Sequence, residues 1–135
     1  MNINLTEKQF RRLLDMAYIG NWVLNSTRGD DRIADYDDVE TALFALAPSL
    51  GMGAVTTHER GIALPSEAFE SGGIHEAIAD YEDTVFFEIL AEELARRDMA
   101  SESVNPENIT ELTSRMDEYI AEFEQHGMDH IVLEK

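Results

Sequence analysis

Four stretches of the chain repeat apolar residues at intervals of three and four, the period of an amphipathic helix, and this spacing narrows the accessible folds more than any other feature. In the first, Phe10, Leu13, Leu14, Ala17, Tyr18, Asn21 and Leu24 share a face, and Met16, Ile19 and Val23 widen it. Thr6-Glu7-Lys8-Gln9 precedes it with the capping-box pattern, a hydroxyl acceptor followed three residues later by Gln. The pattern predicts a mostly buried helix from there to about Ser26, where Asn25 to Asp30 supply turn formers.

Asp35 reads as the N-cap of a second helix through Ala47, with Asp37 and Asp38 complementing the dipole and Val39, Ala42, Leu43 and Leu46 facing inward. Pro48 and Gly51 end it. Ile74, Ile78, Tyr81, Val85 and Ile89, with Phe86, Leu90 and Leu94 alongside, predict a long helix to about Asp98, and Asp83-Thr84 offers a cap for a break near residues 80 to 84. Asn105-Pro106-Glu107 marks a final start: an amide to cap, a proline at the first helical position and an acid in the first turn. Ile109, Leu112, Met116, Tyr119, Ile120 and Phe123 form its apolar face, and Gly127 terminates it. Asn2 to Leu5 and His130 to Leu133 are short and β-prone, and are expected to pair. The fold expected is therefore all-α in the main: a single domain over residues 1–135, four main helices, and a small β-pair formed by the termini.

With 135 residues the chain is long enough to bury a core of its own. It has no cysteine, which removes disulfides, thiolate nucleophiles and cysteine-bound metals together. Residues 1 to 10 show no basic segment followed by an apolar run, and the longest apolar stretches fall short of a membrane span, so a cytoplasmic, membrane-free location is expected. The net charge of −18 disfavours nucleic acid and anionic lipid as partners. The acidity is uneven: residues 1 to 32 hold four acids and five bases, residues 66 to 98 ten and two, and residues 101 to 135 nine and two. An acidic second half of this kind suits a basic protein partner.

The search for a catalytic or cofactor set ends without one. His126 and His130 have the spacing of two ligands on one helical face, but Gly127 between them should end the helix. No histidine follows a glutamate by three positions, as di-iron bundles require, and His75-Glu76 lacks the second histidine of the zincin motif. The six acids between Asp30 and Glu40 are spaced for helix capping and not for a calcium loop. Gly51-Met52-Gly53 lacks the rest of a dinucleotide fingerprint. No cofactor or metal is expected on these grounds.

Residues 51 to 73 hold five of the eight glycines and no sustained period, which makes them the longest irregular stretch and a candidate binding loop. Within it His58, Glu59 and Arg60 put a neutral base, an acid and a fixed cation in succession. Trp22, the sole tryptophan, reads either as a partly buried core residue or as an aromatic anchor for a partner. Function does not follow from these residues directly. The reading they favour is a non-enzymatic interaction or regulatory protein for a basic protein partner, and the alternative is a small enzyme or ligand-binding protein with its site under the 51–73 loop. The apolar width of the first helix, with Phe86 and Phe87 on the third, also suggests a symmetric homodimer.

Leu13 to Trp22 resembles the first helix of a family of small bacterial proteins of unknown function, over residues 6–28, and Glu93 to Asp98 extends the likeness. The resemblance implies a bacterial, cytoplasmic origin and brings no activity, cofactor or site residue with it.

Overall fold

In a computed structural model of the chain, which describes residues 1–100 and 103–134, the Thr6 hydroxyl accepts from the Gln9 amide at 3.1 Å and the Gln9 side chain accepts from the Thr6 amide at 2.9 Å. Helix α1, Glu7–Asn25, thus begins on the capping box. Its buried stripe is Phe10, Leu14, Tyr18, Asn21 and Asn25, one residue per turn. This is narrower than the sequence suggests: Met16 is 68% and Val23 61% exposed.

Helix α2, Ala34–Leu46, starts one residue before Asp35, and its N-cap is Ile33, which has no side-chain cap. Phe44 and Ala47 are fully buried and Leu43 packs beside them, whereas Val39 and Leu46 are exposed, so the inward face is rotated from the predicted one. The reason is polar. Facing α1 is Glu40, three to four residues before Leu43 and Phe44, held by a hydrogen bond from Asn21.

The 51–73 stretch is ordered. Short helical turns at Pro48–Leu50 and Gly53–Val55 lead into an antiparallel hairpin of β1, Thr56–Glu59, and β2, Ile62–Pro65, in the register Thr57↔Leu64 and His58↔Ala63. Arg60 and Gly61 both have positive φ, the primed two-residue turn that matches strand twist. A single turn α3, Glu67–Phe69, capped by the Ser66 hydroxyl, then passes into a wide turn, Glu70–Ile74. Gly73 has φ 107°, a conformation that a side chain makes costly. A small antiparallel sheet is therefore present, but it lies inside the chain and not at the termini. Residues 2–5 and 130–133 are not strand, and the Ile131 amide is spent on the Met128 carbonyl in a turn. The hairpin has what a terminal pair would lack, a face against helices: Ala63 is buried in the core and Val55 packs on it.

Helix α4, His75–Asp98, is unbroken across residues 80–84, where the Thr84 hydroxyl returns to the Asp80 carbonyl at 3.0 Å and does not cap. Helix α5, Ile109–His126, follows a turn that the Asn105 side chain stabilises by accepting from the Glu107 and Asn108 amides at 2.8 and 3.2 Å. The chain is mainly α, with four main helices and one small antiparallel sheet among the described residues. No helix among them is long and apolar enough to cross a membrane.

Two compact units divide the chain, Met1–Ile78 and Ala79–Lys135. The first has its core in Leu14, Tyr18, Phe44, Ala47, Ala63, Phe69 and Ile78, where Phe69 meets Phe44 edge-on at 5.0 Å between ring centres and Tyr18 at 5.2 Å. Full burial of a ring such as that of Phe44 contributes about 2–3 kcal/mol. In the second unit Ala95, Met99 and Leu112 form the core, Met116 and Tyr119 pack on it, and Phe87 lies 5.3 Å from Phe123. The boundary falls inside α4, where no proline, glycine or linker marks it.

Candidate functional site

In the first unit a chain of amides organises the space between α1 and α2. Asn25 is 1% exposed. Its Oδ1 accepts from the Ile33 amide at 2.8 Å and its Nδ2 donates to the Ile33 carbonyl at 3.0 Å, which fixes the entry of α2 in place of a side-chain cap. The same Nδ2 donates to Asn21 Oδ1 at 2.7 Å. That orients the Asn21 amide nitrogen outward, where it donates to Asp37 and to Glu40, each at 3.0 Å. Arg32 completes the network with two 2.7 Å bonds to the Asp37 carboxylate.

The two carboxylates are thereby made unequal. Asp37, taken in a fork by Arg32 and further held by Asn21, is lowered below the usual aspartate range. Glu40 is half-buried with one donor, and burial, reinforced by Asp37 and Glu70 nearby, raises it. It is an underneutralised carboxylate in a partly dry position.

Glu40 opens onto a cleft of about 300 Å³ whose other walls are Tyr18, Asn21, Trp22, Ser26, Arg32 and Glu70. The wide turn at Gly72-Gly73 joins Glu70 to His75 at the start of α4. His75 Nε2 lies 2.6 Å from the Tyr18 hydroxyl, and the Trp22 ring meets the His75 ring edge-on at 4.8 Å. Burial first, then the Glu70 and Glu40 charges, push the Tyr18 hydroxyl up to about 12, so it stays protonated. Two carboxylates, Glu40 and Glu70, line it against one guanidinium, Arg32, which Asp37 already neutralises, so the cleft is negative, with an aromatic wall and a hydroxyl. This chemistry suits an organic cation.

Trp22 is 37% exposed, placed with one face on Tyr18 and His75 and the remainder open to the cleft, so it is neither wholly core nor free. His58, Glu59 and Arg60 lie exposed on the hairpin tip, and strand alternation turns His58 and Glu59 to opposite faces. The fold does not bring these three together. Of the 51–73 stretch it is Glu70 that reaches the cleft. Sequence reasoning missed Asn21, Asn25, Glu40 and His75. Two asparagines on the buried stripe of a helix were the available signal, since a buried amide must be satisfied by something.

No family model matches the chain, and no curated protein or solved structure matches it.

Proposed function

We propose that the chain is a binding module that receives a lysine or arginine side chain of a basic protein partner in the cleft between Trp22, Glu40 and Glu70. The observation that carries this reading is Glu40: a half-buried carboxylate, raised by burial, with one hydrogen-bond donor and, among the described residues, no ion pair of its own, the nearby Arg32 being taken by Asp37. A ligand ammonium or guanidinium supplies that missing charge, and the Trp22 face beside it adds about 0.5–2 kcal/mol of cation–π attraction. The net charge of −18 steers basic partners toward the chain and makes encounter sensitive to salt. Binding rather than catalysis is favoured because a Tyr18 hydroxyl at about 12 is a poor proton carrier at neutral pH.

Capture from a native lysate by the wild-type chain and by a Trp22→Ala/Glu40→Gln variant, at low and high salt, tests the reading. NMR titration with N-acetyl-arginine amide and N-acetyl-lysine amide identifies the site. The expected result is a basic protein held at low salt by the wild-type chain alone, with the cationic amides shifting the Trp22 indole signal. Capture unaffected by the double substitution, or an indole equally indifferent to cationic and neutral amides, sinks it.

A second use of the surface concerns self-association. Met16 and Val23, two turns apart on α1, are apolar and exposed, which favours a homodimer through that face. Light scattering of the wild-type chain and of Met16→Glu/Val23→Glu should show a concentration-dependent dimer that the substitutions abolish. A one-chain mass at every concentration refutes it.

A further inference from the structure

The end of α5 gathers the second unit's two histidines. The helix stops at His126, whose successor Gly127 has φ 56° and ψ −129°, and its amide closes on the Phe123 carbonyl at 2.8 Å. The chain then turns back on itself, with the Asp129 amide donating to the His126 carbonyl at 3.1 Å and the Ile131 amide to the Met128 carbonyl at 3.0 Å. The turn brings the His130 ring over that of His126, 4.1 Å between ring centres. Both rings aim Nδ1 at one carboxylate one turn earlier: His126 at Glu122 Oε2 (3.0 Å) and His130 at Glu122 Oε1 (2.6 Å). The helix ends at Gly127 as its sequence requires, yet the histidines meet, because the turn restores what the lost helical register removes.

We propose that Glu122, His126 and His130 bind a divalent transition-metal ion, zinc foremost. One ligand atom from each of the three lies within 4.8 Å of the others. Zinc bonds of about 2.0–2.1 Å at tetrahedral angles separate neighbouring ligand atoms by about 3.3 Å, so the set, already within 4.8 Å, has about 1.5 Å at most to close. Two imidazoles and one carboxylate form a donor set that zinc accepts, and they leave a fourth position for water or a partner's side chain. Magnesium and calcium, which require oxygen ligands in larger number, are poorly served. The site is at a helix C-terminus, where the free carbonyls favour positive charge.

Coordination through Nδ1 takes the lone pair that a hydrogen-bonded ring covers with a proton. In each neutral ring that proton passes through water to Nε2, so the imidazole binds as its other tautomer with no net proton lost. The carboxylate then exchanges two hydrogen bonds for a metal bond. The competing use of these residues, a hydrogen-bonded clasp that only tidies the helix end, makes no provision for a metal and predicts none bound.

Equilibrium dialysis of the full chain against zinc, with millimolar magnesium present to occupy oxygen-only acid clusters, decides between them. The expected result is one zinc per chain, with Glu122→Gln and His130→Ala each weakening binding at least about tenfold and His58→Ala leaving it unchanged. A long-range imidazole ¹H–¹⁵N spectrum should show Nδ1 of both rings coordinated. His130 is exposed and outside the helix, so its replacement does not threaten the fold, and helix content by circular dichroism confirms this. No saturable zinc binding overturns the proposal. So does binding that His130→Ala leaves intact, or that His58→Ala weakens equally.

Discussion

Tyr18 on α1 and His75, 57 residues later, are joined by a 2.6 Å contact between the hydroxyl and Nε2. Through it the middle of the first helix holds the start of α4, and both side chains line or support the cleft. Tyr18→Phe keeps the ring in the core but removes the hydroxyl, leaving His75 Nε2 to find water. His75 is only partly buried, so the expected cost is that of one net hydrogen bond, about 0.5–1.5 kcal/mol. The expected readout is an urea midpoint lowered accordingly with an unchanged m-value; an unaltered midpoint would show that the contact contributes nothing.

Asn25 serves the Ile33 amide, the Ile33 carbonyl and the Asn21 side chain at once. Asn25→Ala therefore leaves the buried Asn21 Oδ1 and the part-buried Ile33 amide without their partner, while the Ile33 carbonyl keeps the Tyr36 amide, at an expected cost of about 1–3 kcal/mol. It should also free the Asn21 amide to rotate away from Glu40. Weakened cation binding in a variant that still folds is the distinguishing result. Chemical denaturation gives the first quantity and NMR titration the second.

The pH response of stability has two opposed parts. Asp37 is lowered in the folded chain, so its contribution is present above the unfolded aspartate value and is lost as pH falls through the folded one. Glu40 is raised, so the folded chain holds that proton longer than the unfolded chain, and stability declines as pH rises from the unfolded glutamate value through the folded one. Glu40→Gln keeps an acceptor for Asn21 and removes the charge. It should be more stable than wild type at neutral pH, by about 0.5–1 kcal/mol, and the difference should vanish near pH 4. A gain that persists undiminished at pH 4 would mean that the Glu40 charge is not its source.

The elements built from local chemistry were legible in the sequence. The Thr6–Gln9 box and the Gly127 stop appear where the pattern puts them, whereas the Asn105 side chain caps a turn over residues 106–108 and α5 begins only at Ile109, three residues after the proline expected to open it. The hairpin was not, because its turn is Arg60-Gly61 and not one of the Asn-Gly or Asp-Gly pairs that announce a primed turn. The inward face of α2 was misplaced for a tertiary reason: Glu40 takes a position that hydropathy alone would give to Val39, since Asn21 is there to meet it. The cleft joins residues 18, 32, 40 and 70, and no local spacing relates them.

Trp22 separates recognition from stability. Because it is partly exposed and rests on Tyr18 and His75 at the cleft edge, Trp22→Ala removes the aromatic wall without opening the core. The loss should be at least about tenfold in affinity for the cationic amides, the equivalent of one cation–π contact. Its stability cost should stay near 1 kcal/mol. A variant that unfolds would make Trp22 an ordinary core residue.

Gly127 governs whether the two histidines meet. A Cβ there would touch nothing within 4 Å, so substitution is opposed by conformation alone: φ 56° with ψ −129° is a region that L side chains avoid. Gly127→Ala keeps Glu122, His126 and His130 in the chain while penalising the turn that returns His130 to its partners. The backbone has two ways out. It holds the turn at about 1–3 kcal/mol, or it relaxes the turn and separates the rings. The relaxed turn weakens zinc binding by about tenfold or more, since the free energy needed to restore it is subtracted from the affinity, whereas a held turn carries its strain with and without metal and lowers stability instead. Helix content of α5 should be unchanged by circular dichroism, because the substitution lies beyond its last residue. Zinc affinity and stability both equal to wild type in Gly127→Ala would show that His130 reaches the metal without this turn.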